Sequence, residues 1–153
     1  MTSRKPTLLI LGGTGEALLL ARAAVAELGD QLRVISSLAG RSRSPAKVSG
    51  EVRIGGFGGV EGLAGYLRDI GIEFLIDASH PFSAQISQHA CLAAAATATP
   101  RCVLARAAWR MQAGDRWYEA ADMAAAAALV PGLGRRVFLS VGARSLKYFS
   151  GLF

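Results

Sequence analysis

Short apolar runs, each followed by a glycine or polar turn and then by a helical stretch, recur along the chain and constrain its fold more than any other feature. The runs are 7–11, 32–35, 52–54, 74–77, 102–104 and 137–141. Strands buried on both faces read as near-continuous apolar stretches, and alternation with helices is what the crossovers of a parallel sheet require. Six strands are therefore expected. Between them, Glu16 to Leu28 and Ser83 to Thr97 are rich in Ala and Leu and stop at Gly29 and ahead of Pro100, as helices do. Val60 to Ile70 and Ala120 to Val130 read as further helices. The stretch from Arg106 to Tyr118, which holds both tryptophans, follows neither period and is expected to be an irregular connection.

A chain of 153 residues can bury one substantial core and part of another. Pro131-Gly132-Leu133-Gly134 reads as a linker, which gives an expected first domain over 1–131 and, over 132–153, the linker with the beginning of a second α/β lobe. Arg4 and Lys5 ahead of an apolar run imitate a signal peptide, but Gly12 ends that run at Leu11, too early for a signal core. No stretch approaches the ~18 apolar residues of a membrane span, so no membrane partner is expected. Cys91 and Cys102 form no CxxC and join no His/Cys cluster; they are expected to be buried packing residues in a reduced cytoplasm, with no metal site. A net charge of +6 favours phosphate- or carboxylate-bearing partners. The cations are scattered without interleaved aromatics, so nucleic acid is not an expected partner.

Gly12-Gly13-Thr14-Gly15-Glu16 stands directly after the first strand and opens the first helix. Glycines there let backbone approach a phosphate, and the unsatisfied N–H groups at a helix start favour an anion. This predicts a Rossmann-like fold, a mostly parallel sheet with helices on both faces, holding a dinucleotide. Leu18 replaces the last glycine of the full fingerprint, and a tight turn with Thr14 as N-cap is the plainer reading of the same residues.

After the second strand, where an acid would select NAD, the sequence offers Ser36, Ser37, Gly40, Arg41 and Arg43. Hydroxyls and guanidinium forks suit a 2′-phosphate, so NADPH is the expected cofactor; a solvated basic loop is the alternative. Gly55-Gly56-Phe57-Gly58-Gly59 follows the third strand, and Gly56, Phe57 and Gly58 are expected either to admit a flat cofactor ring or to make a sharp turn pinned by a buried Phe57. The fourth strand runs into Asp77-Ala78-Ser79-His80-Pro81-Phe82-Ser83, at the sheet edge where ligands bind in open α/β folds. His80 is the candidate proton-handling group and Ser79 and Ser83 are expected to meet the substrate; the alternative is a helix entry with Ser83 as N-cap and His80 as a satisfied structural group. Arg106 and Trp109, past the fifth strand, are expected to line a site for a large anionic aromatic substrate, or to belong to a loop clamped by two buried tryptophans.

In their order and spacing, Gly-Gly-Thr-x-Glu at 12–16, Ser-Leu-Ala-Gly-Arg at 37–41, Gly-Gly-Phe-Gly-Gly at 55–59, Asp-Ala-Ser-His-Pro-Phe at 77–82 and Gly114-Asp115-x-Trp117 resemble the precorrin-6A reductase family of cobalamin biosynthesis. The resemblance implies an NADPH-dependent reductase that delivers hydride to a tetrapyrrole, with protonation at the neighbouring carbon. It also implies a second α/β domain beyond this stretch, so that the chain holds the cofactor half and the start of the second lobe. An incomplete lobe suggests pairing of two copies by exchange of the last strand and helix. Members often carry Thr at Ser79, Ala at Ser83, Arg near Leu18 and Arg-Pro at Arg106-Ala107. The departures leave the glycine loops intact. The competing reading, from another class, is a non-catalytic NADP(H)-binding sensor or regulatory module, which would need the cofactor loops but not the motifs at 77–82 and 114–117.

Overall fold

The computed structural model describes residues 4–40, 48–107 and 109–152, and the chain divides into two compact units, Met1–Ala107 and Ala108–Phe153. The first unit carries β1 (Thr7–Leu11), α1 (Gly15–Leu28), β2 (Arg33–Leu38), β3 (Glu51–Ile54), α2 (Val60–Ile70), β4 (Phe74–Asp77), α3 (Ala84–Thr97) and β5 (Arg101–Val103). All pairings are parallel and the strand order is β3-β2-β1-β4-β5.

The sheet separates two cores because side chains alternate across it. Leu8, Ile10 and Val34 pack with Ala17 and Ala21 of α1 on one face. Leu9, Leu11, Ile35 and Leu75 pack on the other with Leu63 and Leu67 of α2 and Ala90, Ala93 and Ala94 of α3. The alanines of α1 and α3 let those helices lie close to the strands. Every residue of β1 is buried, as a central strand covered on both faces must be, whereas β5 at the rim is exposed throughout.

The chain leaves β1 toward β2 and β3 and later returns to β4 and β5 on the other side, so the direction of winding reverses between β1 and β4. Backbone bonds carry the ladder one step past the strand ends: Gly12 N–H to Ser37 O at 2.9 Å, Gly55 N–H to Leu38 O at 2.8 Å, Ala78 N–H to Leu11 O at 3.0 Å and Leu104 N–H to Asp77 O at 2.9 Å. The loops after β1, β3, β4 and β5 are thereby rooted along one carboxyl edge.

In the second unit α4 (Met123–Leu133) starts at Asp122, whose carboxylate accepts from Ala125 N–H at 2.8 Å, and packs against a 3₁₀ turn, Ala143–Tyr148. Ala127 and Phe149 are its buried apolar residues. Pro131 and Gly132, expected in a linker, belong to the last turn of α4. Residues 137–141, expected as a sixth strand, are not one: a strand needs a partner for its N–H and C=O groups, and no described segment pairs with them. Both cysteines are exposed rather than buried, Cys91 on α3 and Cys102 on the uncovered rim strand β5. The tryptophans do not clamp a loop either, Trp109 being 82% and Trp117 41% exposed.

Candidate functional site

The winding reverses between β1 and β4, and in open α/β sheets the carboxyl edge at such a reversal is where ligands bind. Gly12 lies so close to β2 that a Cβ on it would stand 3.3 Å from Leu38 Cδ2 and 3.4 Å from Ser37 O. Gly13 adopts a φ of +112°, which side-chain-bearing residues rarely tolerate, while nothing lies within 4 Å of a Cβ built on Gly15. The glycines therefore make a tight turn and leave open space in front of the start of α1.

Thr14 caps that start, its Oγ1 accepting from Ala17 N–H at 3.1 Å. The same hydroxyl donates to Ala78 O at 2.8 Å and so ties the turn to the end of β4. The cap satisfies one N–H of the first turn and leaves others without intrahelical acceptors.

Glu16, next in the turn, accepts from Arg106 Nε at 2.8 Å and Nη2 at 3.0 Å. Its carboxyl is held below the usual carboxylate range first by its own backbone N–H, then by the Arg106 hydrogen bond, with a smaller contribution from the charge of His80. Glu16, in the first turn of α1, and Arg106, past β5, are thus joined at the carboxyl edge. Arg106 is fixed by the bidentate pair over the β1–α1 turn.

The remaining expected residues are arranged less uniformly. Ser36 and Ser37 are buried in β2, Ser36 Oγ without a hydrogen-bond partner, and Gly40 has a φ of +69°. Arg41 and Arg43 lie outside the described residues. Phe57 is half-buried against Tyr66, with ring centroids 5.3 Å apart, and Arg53 stacks on it with the guanidinium carbon 3.8 Å from the ring centre. Arg53 also donates to Gly55 O at 2.6 Å and Gly56 O at 2.7 Å, so the glycine-rich loop after β3 is clamped from within.

His80 is exposed and its Nδ1 accepts from Phe82 N–H at 3.2 Å. Ser83 occupies the N-cap position of α3 without making the expected side-chain bond. Trp109 belongs to the second unit. Asp115 accepts from Gln112 N–H at 2.8 Å and so closes a turn of its own.

Several contributors have no place in the expected set. Arg53 is the clamp of the β3 loop. A Cβ on Gly62 of α2 would fall 1.7 Å from Phe57 O, so that glycine admits the loop against the helix. Ser87 contacts Ser79, and Arg101 stands 3.7 Å from the buried Asp77. A glycine inside an otherwise good helix was the one available signal for Gly62; the others depend on three-dimensional neighbours.

An open cavity of about 540 Å³ lies at the opposite edge of the sheet, lined among others by Arg4, Lys5, Thr7, Arg33 and Glu51. Its cations are already engaged, Arg4 by Glu73, Lys5 by Gly29 O and Arg33 by Glu51, so it offers an anion no uncommitted charge. No three His, Cys, Asp or Glu side chains gather among the described residues, and no described helix is long and apolar enough to cross a membrane.

The family described as precorrin-6x reductase CbiJ/CobK matches residues 7–152, nearly the whole chain. The chain belongs to the precorrin-6x reductase family. Among its relatives, precorrin-6A reductase of Rhodococcus erythropolis is 48% identical over 145 residues, 95% of this chain and 58% of the relative. Precorrin-6A reductase of Rhodobacter capsulatus is 47% identical over 144 residues, 94% of this chain and 56% of the relative. A solved structure of CobK precorrin-6A reductase superposes with a TM-score of 0.87 at 46% identity, over 96% of this chain and 57% of that one. This member of the family therefore spans little more than half the length of the proteins it matches.

Proposed function

We propose that the chain binds NADPH across the switch point and serves reduction of a precorrin-6A-type tetrapyrrole in cobalamin biosynthesis. The observation that carries the reading is the glycine turn itself: Gly13 at a φ of +112° and open space at Gly15, in front of a helix start at the β1–β4 reversal. That cradle fits a pyrophosphate, because added side chains would fill the room the phosphate needs. The acid-free end of β2 with Arg41 favours the 2′-phosphate form of the cofactor.

NADPH supplies the hydride. The chain's own residues then have separable tasks. Gly12, Gly13 and Gly15 admit the phosphates, and Thr14 holds the turn against β4 while capping α1. Glu16 acts through Arg106: its carboxylate fixes a guanidinium that offsets the negative charge Glu16 itself brings to a phosphate site. Ser36, Ser37, Gly40 and Arg41 take the adenosine side, and the Gly56-Phe57-Gly58 loop borders it. Ser83 is assigned to the carboxylate-bearing macrocycle, and His80 to giving or orienting a proton. Two exposed thiols suit a reducing compartment, the cytoplasm.

Calorimetric titration with NADPH and NADH tests the reading. The expected result is at least ~10-fold preference for NADPH, weakened by ~1.5–3 kcal/mol in Arg41→Ala as for a charge-assisted contact. Folded protein that binds neither nucleotide would sink it.

A further inference from the structure

At the carboxyl end of β4 one carboxylate is buried without a task in the scheme above. Asp77 is 2% exposed. Its Oδ1 accepts from the Ser79 hydroxyl at 2.7 Å and from Ser79 N–H at 3.2 Å. Its Oδ2 has no hydrogen-bond partner, and Arg101 Nη1 stands 3.7 Å away, at ion-pair rather than hydrogen-bond range.

An ionised carboxylate can only accept. The proton of Ser79 is therefore committed to Asp77, and in the 3.1 Å contact between the two serine hydroxyls it is Ser87 that donates. A hydroxyl has one proton and two lone pairs, so Ser79 Oγ is left with one lone pair and no proton to offer.

We propose that Asp77 is a positioning residue that makes Ser79 an acceptor for the carboxamide N–H of a bound nicotinamide. The inference rests on the cofactor reading above. Ser79 follows Ala78, whose carbonyl receives the Thr14 hydroxyl at 2.8 Å, so the acceptor is tied to the phosphate turn across adjacent strands. A dinucleotide with its pyrophosphate on the β1 turn and its adenosine toward β2 extends its other half toward β4. The carboxamide is the N–H donor at that end. A site built around a fixed acceptor discriminates against an analogue lacking the donor, because the acceptor is then left unpaired.

The test is titration of the 153-residue chain with three probes. These are NADPH; its reduced 3-acetylpyridine analogue, in which a methyl ketone replaces the carboxamide; and 2′,5′-ADP, which has no nicotinamide. Wild type is expected to favour NADPH over the analogue by about 3- to 10-fold, the range of one neutral hydrogen bond. Ser79→Ala removes that preference and leaves 2′,5′-ADP affinity unchanged; Ser79→Thr retains the preference. Asp77→Ala, which takes away the acceptor of the Ser79 proton, is expected to reduce it, whereas Asp77→Asn, whose carbonyl oxygen can still accept from both Ser79 donors, is expected to keep it. Should Asp77→Ala fail to fold, the Ser79 pair decides alone. Preference surviving in Ser79→Ala, or 2′,5′-ADP weakened in parallel with NADPH, overturns the inference while the cofactor reading stands. Folded wild type that binds no NADPH overturns both.

Discussion

Two glycines three residues or fewer from each other in one turn call for opposite outcomes on substitution. Gly13 holds a left-handed φ of +112°, so Gly13→Ala is expected to cost about 1–3 kcal/mol in a urea unfolding experiment. Gly15→Ala meets no atom within 4 Å and sits at a helix start, so stability should stay level or rise slightly. Its methyl group, however, enters the space assigned to phosphate, and NADPH affinity should fall in the same titration; unchanged affinity would argue that the turn is only a turn. Gly62→Ala forces a carbon against Phe57 O and is expected to destabilise by about 1–3 kcal/mol, measured the same way. At this scale the sequence was legible where chemistry is local. The glycine turn and the Thr14 cap announce themselves by position, whereas the commitment of Ser79 to Asp77 and of Arg53 to Phe57 depends on neighbours brought in by the fold.

Among the elements, the loop after β5 is held to α1 by the Glu16–Arg106 pair, and its pH dependence follows from the lowered carboxyl. A depressed carboxylate stabilises the fold fully above its ordinary value of 4.5 and loses that contribution as pH falls through the lowered folded value. The melting difference between wild type and Arg106→Ala should thus be level near neutrality and vanish in acid. Glu51 is lowered too, by hydrogen bonding from Arg33, so only the difference between the two proteins isolates Glu16. A difference that persists at the acid end would place the effect of Arg106 elsewhere. The pair is exposed, so added salt should shrink it.

Element boundaries show where periodicity is informative. β1, β4 and α2 begin and end where the apolar pattern says, because burial on both faces or one clear face leaves little choice. β2 runs on through Ser36, Ser37 and Leu38, since pairing with β1 and β3 satisfies their backbone regardless of side-chain polarity. Residues 137–141 have the composition of a strand but no pairing segment, and α4 absorbs Pro131 because its last turn can lose one N–H bond.

For the whole molecule, the charge of +6 is a kinetic statement. A basic surface steers an anionic nucleotide, so the association rate of NADPH in stopped-flow mixing should fall on the order of tenfold between ~0.05 and ~0.5 M salt, with dissociation much less affected. A salt-independent association rate would contradict steering. Fold class and the alternation of parallel strands with helices were readable from the order of apolar runs and glycine turns. The reversal between β1 and β4 was not, because strand order depends on which strands pair rather than on any one segment.

The four backbone bonds that prolong the ladder beyond β1, β3, β4 and β5 have an evolutionary consequence. Each loop is anchored by main-chain atoms, which every residue type supplies, so what lies beyond the anchor can change in length and chemistry without disturbing its neighbours. Ligand preference in such a scaffold can drift one loop at a time while the sheet that aligns the loops stays as it was.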